Sequence, residues 1–183
     1  MTDPKDDIKV SVCCVCYNQE RYIGKTLEGF AMQKVNFNIE IIVHDDASTD
    51  RTQAIIENYA AKDTRVVPVL RKTNIKSQGI PVFPITYKMA RGKYIAVCEG
   101  DDYWTDPLKL QKQYDYLENH VNCSAVFSDL ILIDREGKYI QESRRMPPGL
   151  KQLNTHYLLQ GNAIHTSNFF FKREIVDEKV ADF

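Results

Sequence analysis

The chain lacks a long apolar run. Across its 183 residues no stretch approaches the roughly 20 apolar residues of a membrane span. The first residues, Met-Thr-Asp-Pro-Lys-Asp-Asp, are polar where a signal peptide would be apolar. Charge of one sign is not in surplus either. Lys and Arg number 24 against 25 Asp and Glu, a net charge of −1, so the footprint of a nucleic-acid or anionic-membrane binder is missing. No paired C-x-x-C spacing occurs among Cys13, Cys14, Cys16, Cys98 and Cys123. Four of these lie inside apolar runs, which predicts small buried thiols in a reducing compartment and not zinc ligands. Internal repeats and low-complexity segments are absent. These absences leave a cytoplasmic globular protein, with peripheral attachment at the inner face of a membrane still open.

What is present is alternation. Apolar content of 43% and charged content of 27% suit one soluble domain over 1–183. Strand-like runs are expected at Lys9–Val15, Ile39–His44, Val66–Leu70, Tyr94–Cys98, Ala125–Ile133, near Tyr139-Ile140 and at Thr166–Lys172. Between them lie helical patterns at about Glu20–Met32, from Ser48-Thr49-Asp50 to Ala61, at Pro84–Ala90 stopped by Gly92, from Thr105-Asp106-Pro107 to Asn119, near Leu153–Gln160, and from Arg173 onward. Strands alternating with helices at this spacing predict an α/β fold. Its sheet is Rossmann-like and mainly parallel, flanked by helices on both faces as a three-layer sandwich.

Parallel strands place their carboxyl ends on one edge, where open α/β sheets bind ligands. Three polar clusters fall at such ends: Tyr17-Asn18, Asp45-Asp46, and Glu99-Gly100-Asp101-Asp102. Carboxylates this close repel one another unless a cation or a ring of donors neutralises them. Hard oxygen ligands suit Mg²⁺ or Mn²⁺, and those ions suit phosphate. A metal–diphosphate site is the chemistry these residues predict.

The order and spacing of Tyr17-Asn18, Asp45-Asp46-Ala-Ser48-Thr49-Asp50, Gly92-Lys-Tyr-Ile and Glu99-Gly100-Asp101-Asp102 resemble the family 2 glycosyltransferases of GT-A fold, over roughly Lys9–Lys172. The stretch from Gly100 to Gln111 is similar to bacterial members that build surface polysaccharides. The resemblance implies an inverting hexosyl transfer from a nucleotide-diphosphate donor, a UDP-sugar with guanine open as the alternative base, to a hydroxyl of a saccharide or lipid-linked acceptor. It implies Tyr17 against the uracil ring with Asn18 nearby, and Asp46 accepting a hydrogen bond from the base. Asp102, with Asp101 beside it, matches the DxD-type site for Mn²⁺ or Mg²⁺, with Asp101 as an alternative ribose contact. Gly100 belongs to the same motif, and Gln78-Gly79 falls where members approach the donor. The family's Asp-x-Asp-Asp reads Glu99-x-Asp101-Asp102 here, and Cys16 replaces the usual Pro or Thr. The family's general base, an Asp or Glu, has no convincing match before Phe183. The expectation is a complete donor half with the base and part of the acceptor site beyond the chain.

Plainer readings apply elsewhere. His44 is expected to be a packed histidine, and Arg71, Lys72 and Lys76 a solvated loop. His165 is an open candidate base, and Asp106 a helix cap. Two other classes share strand-end acids and a metal. A phosphoacceptor receiver module needs an Asp ending its third strand, where Leu70-Arg71 stands. A nucleotidyltransferase usually carries a Gly-rich loop after its first strand, where Tyr17-Asn18-Gln19-Glu20 stands.

Overall fold

The structure is a computed structural model, and it describes residues 7–143 and 165–177. The elements in chain order are β1 (Ile8–Cys16), α1 (Ile23–Ala31), β2 (Asn38–Asp45), α2 (Thr52–Ala60), β3 (Val66–Leu70), α3 (Val82–Tyr87), β4 (Tyr94–Glu99) and α4 (Lys109–Asn119). Then follow β5 (Ala125–Val126), β6 (Leu130–Ile133), β7 (Tyr139–Ser143), β8 (Phe170–Lys172) and α5 (Glu174–Asp177). Short 3₁₀ turns stand at Lys76–Gln78 and Thr166–Asn168. Among the described residues the main sheet has six strands in the order β3-β2-β1-β4-β8-β5. The β1–β2, β1–β4 and β2–β3 pairs are parallel, while β8 runs antiparallel to β4 and β5.

Both faces of the sheet are covered, which is why its strands read as nearly continuous apolar runs. Along β1 the side chains alternate. Val10, Val12, Cys14 and Cys16 join Ile23, Leu27 and Phe30 of α1, Ile56 of α2, and Leu110 and Leu117 of α4 in one core. Cys13 faces the other way and packs with Ile42, Ile95, Val97 and Phe171, beneath Phe83 and Tyr87 of α3. The three-layer expectation is met. Cys13, Cys14, Cys16 and Cys98 are buried thiols, and Cys123 is half-buried. Burial pushes the Cys13, Cys14, Cys16 and Cys98 thiols well up, so they serve as small core residues.

Several boundaries differ from the sequence reading. Ala125–Ile133 is not one strand. Val126 ends the sheet pairing, and Leu130–Ile133 forms a separate hairpin with β7. Thr166–Asn168 is a 3₁₀ turn, and only Phe170–Lys172 is strand. The first helix starts at Ile23, after a turn that donates the Tyr22 and Ile23 amides to Gln19 O. The helix expected at Pro84–Ala90 runs over Val82–Tyr87, with Pro84 tolerated in its first turn. The expected helix near Leu153–Gln160 and the end beyond Asp177 lie outside the described residues.

Gly92 does not cap a helix. A Cβ there would stand 2.6 Å from Ser11 N and 2.8 Å from Val10 C. The close approach serves a buried junction at the amino edge. Gly92 N donates to Ser11 Oγ, Ser11 Oγ donates to Glu40, and Glu40 accepts Arg91 N and Nε. Backbone cannot yield as a side-chain tip can. Gly92→Ala should therefore destabilise by about 1–3 kcal/mol, the usual cost of overpacking. Urea unfolding would show a lower midpoint at unchanged slope; an unchanged midpoint would contradict the packing.

Lys109 on α4 is a buried cation. It is 8% exposed, its Nζ lies 4.4 Å from the Trp104 ring centroid, and it donates to Gln113 Oε1 at 2.8 Å. Burial lowers its pKa from an ordinary 10.5 to about 8. Between those values the unfolded chain binds the extra proton, so stability rises with pH, at a slope of up to about 1.4 kcal/mol per unit. Relative to Lys109→Met, the wild type should gain stability from pH 8 to 10. A gap that stays flat with pH would contradict this.

Candidate active site

The site lies at the carboxyl edge and is set by register. Cys16 stands opposite Asp45, and Val15 stands opposite Glu99. Each loop continues that pairing for one more bond: Asp46 N donates to Cys16 O, and Gly100 N donates to Val15 O, both at 3.0 Å. The three polar clusters read from the sequence are therefore neighbours on one edge.

The loops after β1 and β2 hold each other. Buried Asp45 accepts Ser48 N at 2.8 Å, Gln53 Nε2 at 2.6 Å and the Ser48 hydroxyl. This tight turn carries Ala47 at φ 65, a left-handed conformation that costs a non-glycine residue about 1–2 kcal/mol. Asn18, at φ 52, tolerates that region better. Its amide donates to Ser48 Oγ and its Oδ1 accepts Thr49 N, both at 2.8 Å. Asp50 accepts Glu20 N at 3.0 Å and Thr52 N at 2.9 Å, and Glu20 accepts Arg51 N at 3.0 Å. The helix-start role expected of Ser48-Thr49-Asp50 thus falls to Asp50, while Ser48 joins the two loops. Tyr17, 45% exposed, stands free at the mouth.

Asp46 is 1% exposed. One carboxylate oxygen accepts Ile75 N at 2.9 Å and the other accepts Lys76 N at 3.0 Å. It fixes the loop after β3 and keeps lone pairs for a further donor. Gln78 lies exposed on that loop, its amide 3.4 Å from Asn74 O. Arg71 departs from the sequence reading of a solvated loop. Its Nε donates to His44 Nε2 at 2.7 Å, because His44 near the end of β2 and Arg71 just past β3 lie on adjacent strands.

The acid loop is braced from below. A Cβ on Gly100 would stand 2.3 Å from Gln19 Oε1 and 2.5 Å from Cys16 Cβ, so this glycine allows the two loops to touch. The Thr26 hydroxyl on α1 lies 2.9 Å from Gly100 O and 2.7 Å from Asp102 O. Trp104 is buried edge-on against Phe30 at 4.7 Å and donates Nε1 to Ser167 O at 2.8 Å. The Ser167 hydroxyl donates to the Asp102 carboxylate. Thr26 and Ser167 escaped sequence reasoning because each is distant in the chain. The Asp45-x-x-Ser48 spacing, by contrast, is a legible signature of a side-chain-capped turn.

Like charge crowds this loop. Partial burial, then repulsion from Asp101 and Glu99, pushes the Asp102 carboxyl up to about 6. Partial burial and Asp101 also raise Glu99, against the opposing pull of Lys76. Among the described residues no group of three or more ligating side chains gathers as a metal cage. Asp101 and Asp102 are nonetheless exposed carboxylates under mutual repulsion. That donor set fits a cation whose other ligands are phosphate oxygens and water.

The same repulsion has a cost. A carboxyl whose folded pKa is raised stabilises the fold below its ordinary pKa, and that contribution is lost as pH rises through about 6. Asp102→Asn should then raise the thermal midpoint of the ligand-free chain at pH 7.5, with the gain disappearing near pH 4. An unchanged or lower midpoint at pH 7.5 would contradict the crowding.

Comparison with known proteins agrees with this fold. The family model described as Glycosyl transferase family 2 matches residues 11–179, and the chain belongs to that family. A Mycobacterium tuberculosis protein is 42% identical over 90% of this chain and 47% of its own length. The Escherichia coli UDP-Glc:alpha-D-GlcNAc-diphosphoundecaprenol beta-1,3-glucosyltransferase WfaP is 36% identical over 60% of this chain and 41% of its own. The chain spans about half the length of the curated relatives it matches. Among solved structures, Staphylococcus aureus TarS 1-349 in complex with UDP superposes with TM-score 0.67 at 24% identity, covering 93% of this chain and 48% of the other. A Pyrobaculum calidifontis mannosyltransferase in complex with GDP-Man and Mn²⁺ gives TM-score 0.65 at 19% identity, covering 96% and 48%. The fold is GT-A.

Proposed function

We propose that this chain is the donor-binding part of an inverting, metal-dependent transferase that moves a hexosyl group from a UDP-sugar to a hydroxyl acceptor. The observation that carries the proposal is the meeting of the β1, β2 and β4 ends on one sheet edge, with the crowded acids at its β4 side. UDP and GDP-Man in the TarS and mannosyltransferase complexes support a nucleotide-sugar donor. The diphosphoundecaprenol-linked acceptor in the WfaP name supports a lipid-linked saccharide acceptor, and a place in surface-glycan assembly at the inner face of a membrane belongs to the same proposal. Among the described residues no helix is long and apolar enough to cross a membrane.

In this reading Tyr17 covers one face of the base, and Asp46 accepts the base N–H with its spare lone pairs. Asn18 holds the Ser48-Thr49 turn in place, and Gly100 lets the acid loop approach the ribose side. Gln78 closes over the donor from the β3 side. Asp102, with Asp101 beside it, would hold Mn²⁺ or Mg²⁺. Such an ion neutralises charge on the leaving diphosphate. The chain's own part is to bind and orient. Thr26 and Ser167 fix the acid loop before substrate arrives, so little reorganisation is needed. An inverting transfer also needs a general base to take the acceptor proton.

Titration calorimetry of UDP with and without Mn²⁺ tests the reading. UDP should bind at least about tenfold more tightly with Mn²⁺ at pH 7.5, a difference of about 1.4 kcal/mol. Asp102→Ala should erase that difference, and in the wild type it should shrink as pH falls through about 6, where Asp102 takes up a proton. Equal UDP binding in chelator would contradict the metal assignment.

A further inference from the structure

The amino edge of the sheet, opposite the acid loop, carries the contrary charge. Val10, Tyr94 and Lys172 stand in one row across β1, β4 and β8. One residue nearer the edge are Lys9, Lys93 and Arg173, with Arg173 N donating to Lys93 O at 2.9 Å. Three cationic residues thus occupy neighbouring strands about 4.8 Å apart, where like charges destabilise a sheet. Arg91 and Lys172 join them around a cleft of about 550 Å³, a size that suits a small organic ligand. At about 3.3 Å per residue along β1, Lys9 lies roughly 25 Å from Tyr17, so this cleft and the donor edge are separate places.

Carboxylates only partly offset these cations. Lys9 pairs with Asp7, and Lys93 pairs with Glu118. Arg91 pairs at 2.9 Å with buried Glu40, yet its side chain stays 60% exposed. Glu174 is the remaining acid of the lining. Lys172 donates its amine to Val121 O at 2.9 Å, and among the described residues no salt bridge engages it. The lining carries five cations against three carboxylates. Glu40 reduces that excess without removing it, in a chain whose net charge is −1. The Asp7 hydrogen bond raises the Lys9 pKa while the Lys93 charge opposes it, so the two ammoniums feel each other. Surface pairs of this kind are worth little, and a more highly charged anion can take the cations over.

We infer that this amino-edge cleft is a binding site for a phosphate ester, held by Lys9, Lys93 and Lys172 with the Arg91 and Arg173 guanidiniums. A phosphate ester brings close to two negative charges and three acceptor oxygens, which ammoniums and guanidiniums converging from separate strands can share. Ile8, Leu117 and Val121 form an apolar wall beside the cations, which leaves room for an organic body next to the phosphate. The inference does not depend on the transferase reading. Two sources share this chemistry, a soluble phosphate ester and the headgroup of an anionic phospholipid, and the test separates them.

The test is amide NMR at low salt and pH 7.5, with chelator present so that no metal ion recruits phosphate to the acid loop. Glycerol phosphate should move the Lys9, Lys93 and Arg173 signals saturably and leave Asp101 and Asp102 still, and the effect should fade as salt rises. Lys93→Gln combined with Lys172→Gln should weaken binding about tenfold, roughly threefold for each partly exposed ion contact. Glu174→Gln removes a carboxylate from the lining and should tighten it. Thermal midpoints show which variants fold. If the double variant does not, Lys9→Gln decides, with an expected loss of about threefold. Cosedimentation with phosphatidylglycerol vesicles, against phosphatidylcholine vesicles, assigns the source. Retention on phosphatidylglycerol that the lysine variants lose supports a headgroup, and glycerol phosphate binding without such retention supports a soluble ester. The inference is overturned if neither probe binds, if binding is unchanged in the lysine variants, or if the shifts centre on Asp101 and Asp102.

Discussion

The parallel pairing of β1 with both β2 and β4 is the constraint on which the rest depends. Because all three strands run the same way, their exits share an edge, and the register sets Cys16 beside Asp45 and Val15 beside Glu99. A slip of one residue would turn Cys14 and Cys16 out of the α1 face and carry the loops with them. The alternating core of β1 against two helix layers penalises that slip heavily, since each misplaced residue would leave a well-packed site. Binding geometry is thus fixed by core packing about one strand length away.

The loops on that edge divide their work. After β1 and β2 the polar side chains mostly hold one another: Asp45, Ser48, Asn18 and Asp50 spend their hydrogen bonds on backbone amides and each other. The acid loop differs. Its carboxylates gain backbone support from Thr26 and one donor in Ser167, yet remain mutually repelling. A rigid frame around an electrostatically unsatisfied centre suits a cation, because binding one would relieve a repulsion that the fold has already accepted. Buried Lys109 directs its amine at Trp104 and Gln113, and among the described residues it makes no salt bridge with the acids.

The fold was legible because both signals it needs are local. Runs such as Val10–Val15 and Tyr94–Cys98 mark buried strands, and the intervening apolar periods mark helices. Tyr17, Asp46, Asp101 and Asp102 were legible as a group because parallel topology converts separate strand ends into one edge. Strand ends with antiparallel partners were not. Val126 leaves the sheet and Leu130 starts a hairpin, although Ala125–Ile133 is one apolar stretch, because pairing to distant Phe170 and Ser143 decides the break. Arg71 read as a surface cation, since nothing nearby in sequence reveals that His44 lies beneath it. Gly92 read as a helix stop, when the reason for glycine is the Ser11 backbone 81 residues earlier.

Paramagnetic broadening by Mn²⁺ tests the central claim most directly. With UDP and substoichiometric Mn²⁺, amide signals of Asp101 and Asp102 should broaden first. Tyr17, Asn18 and the Asp46–Ser48 turn should follow, while Arg91 and Glu118 at the opposite edge stay sharp. Broadening centred on Arg91 and Glu118, or confined to the acid loop while Tyr17 and Asp46 show no response to UDP, would contradict a single site built from three strand ends.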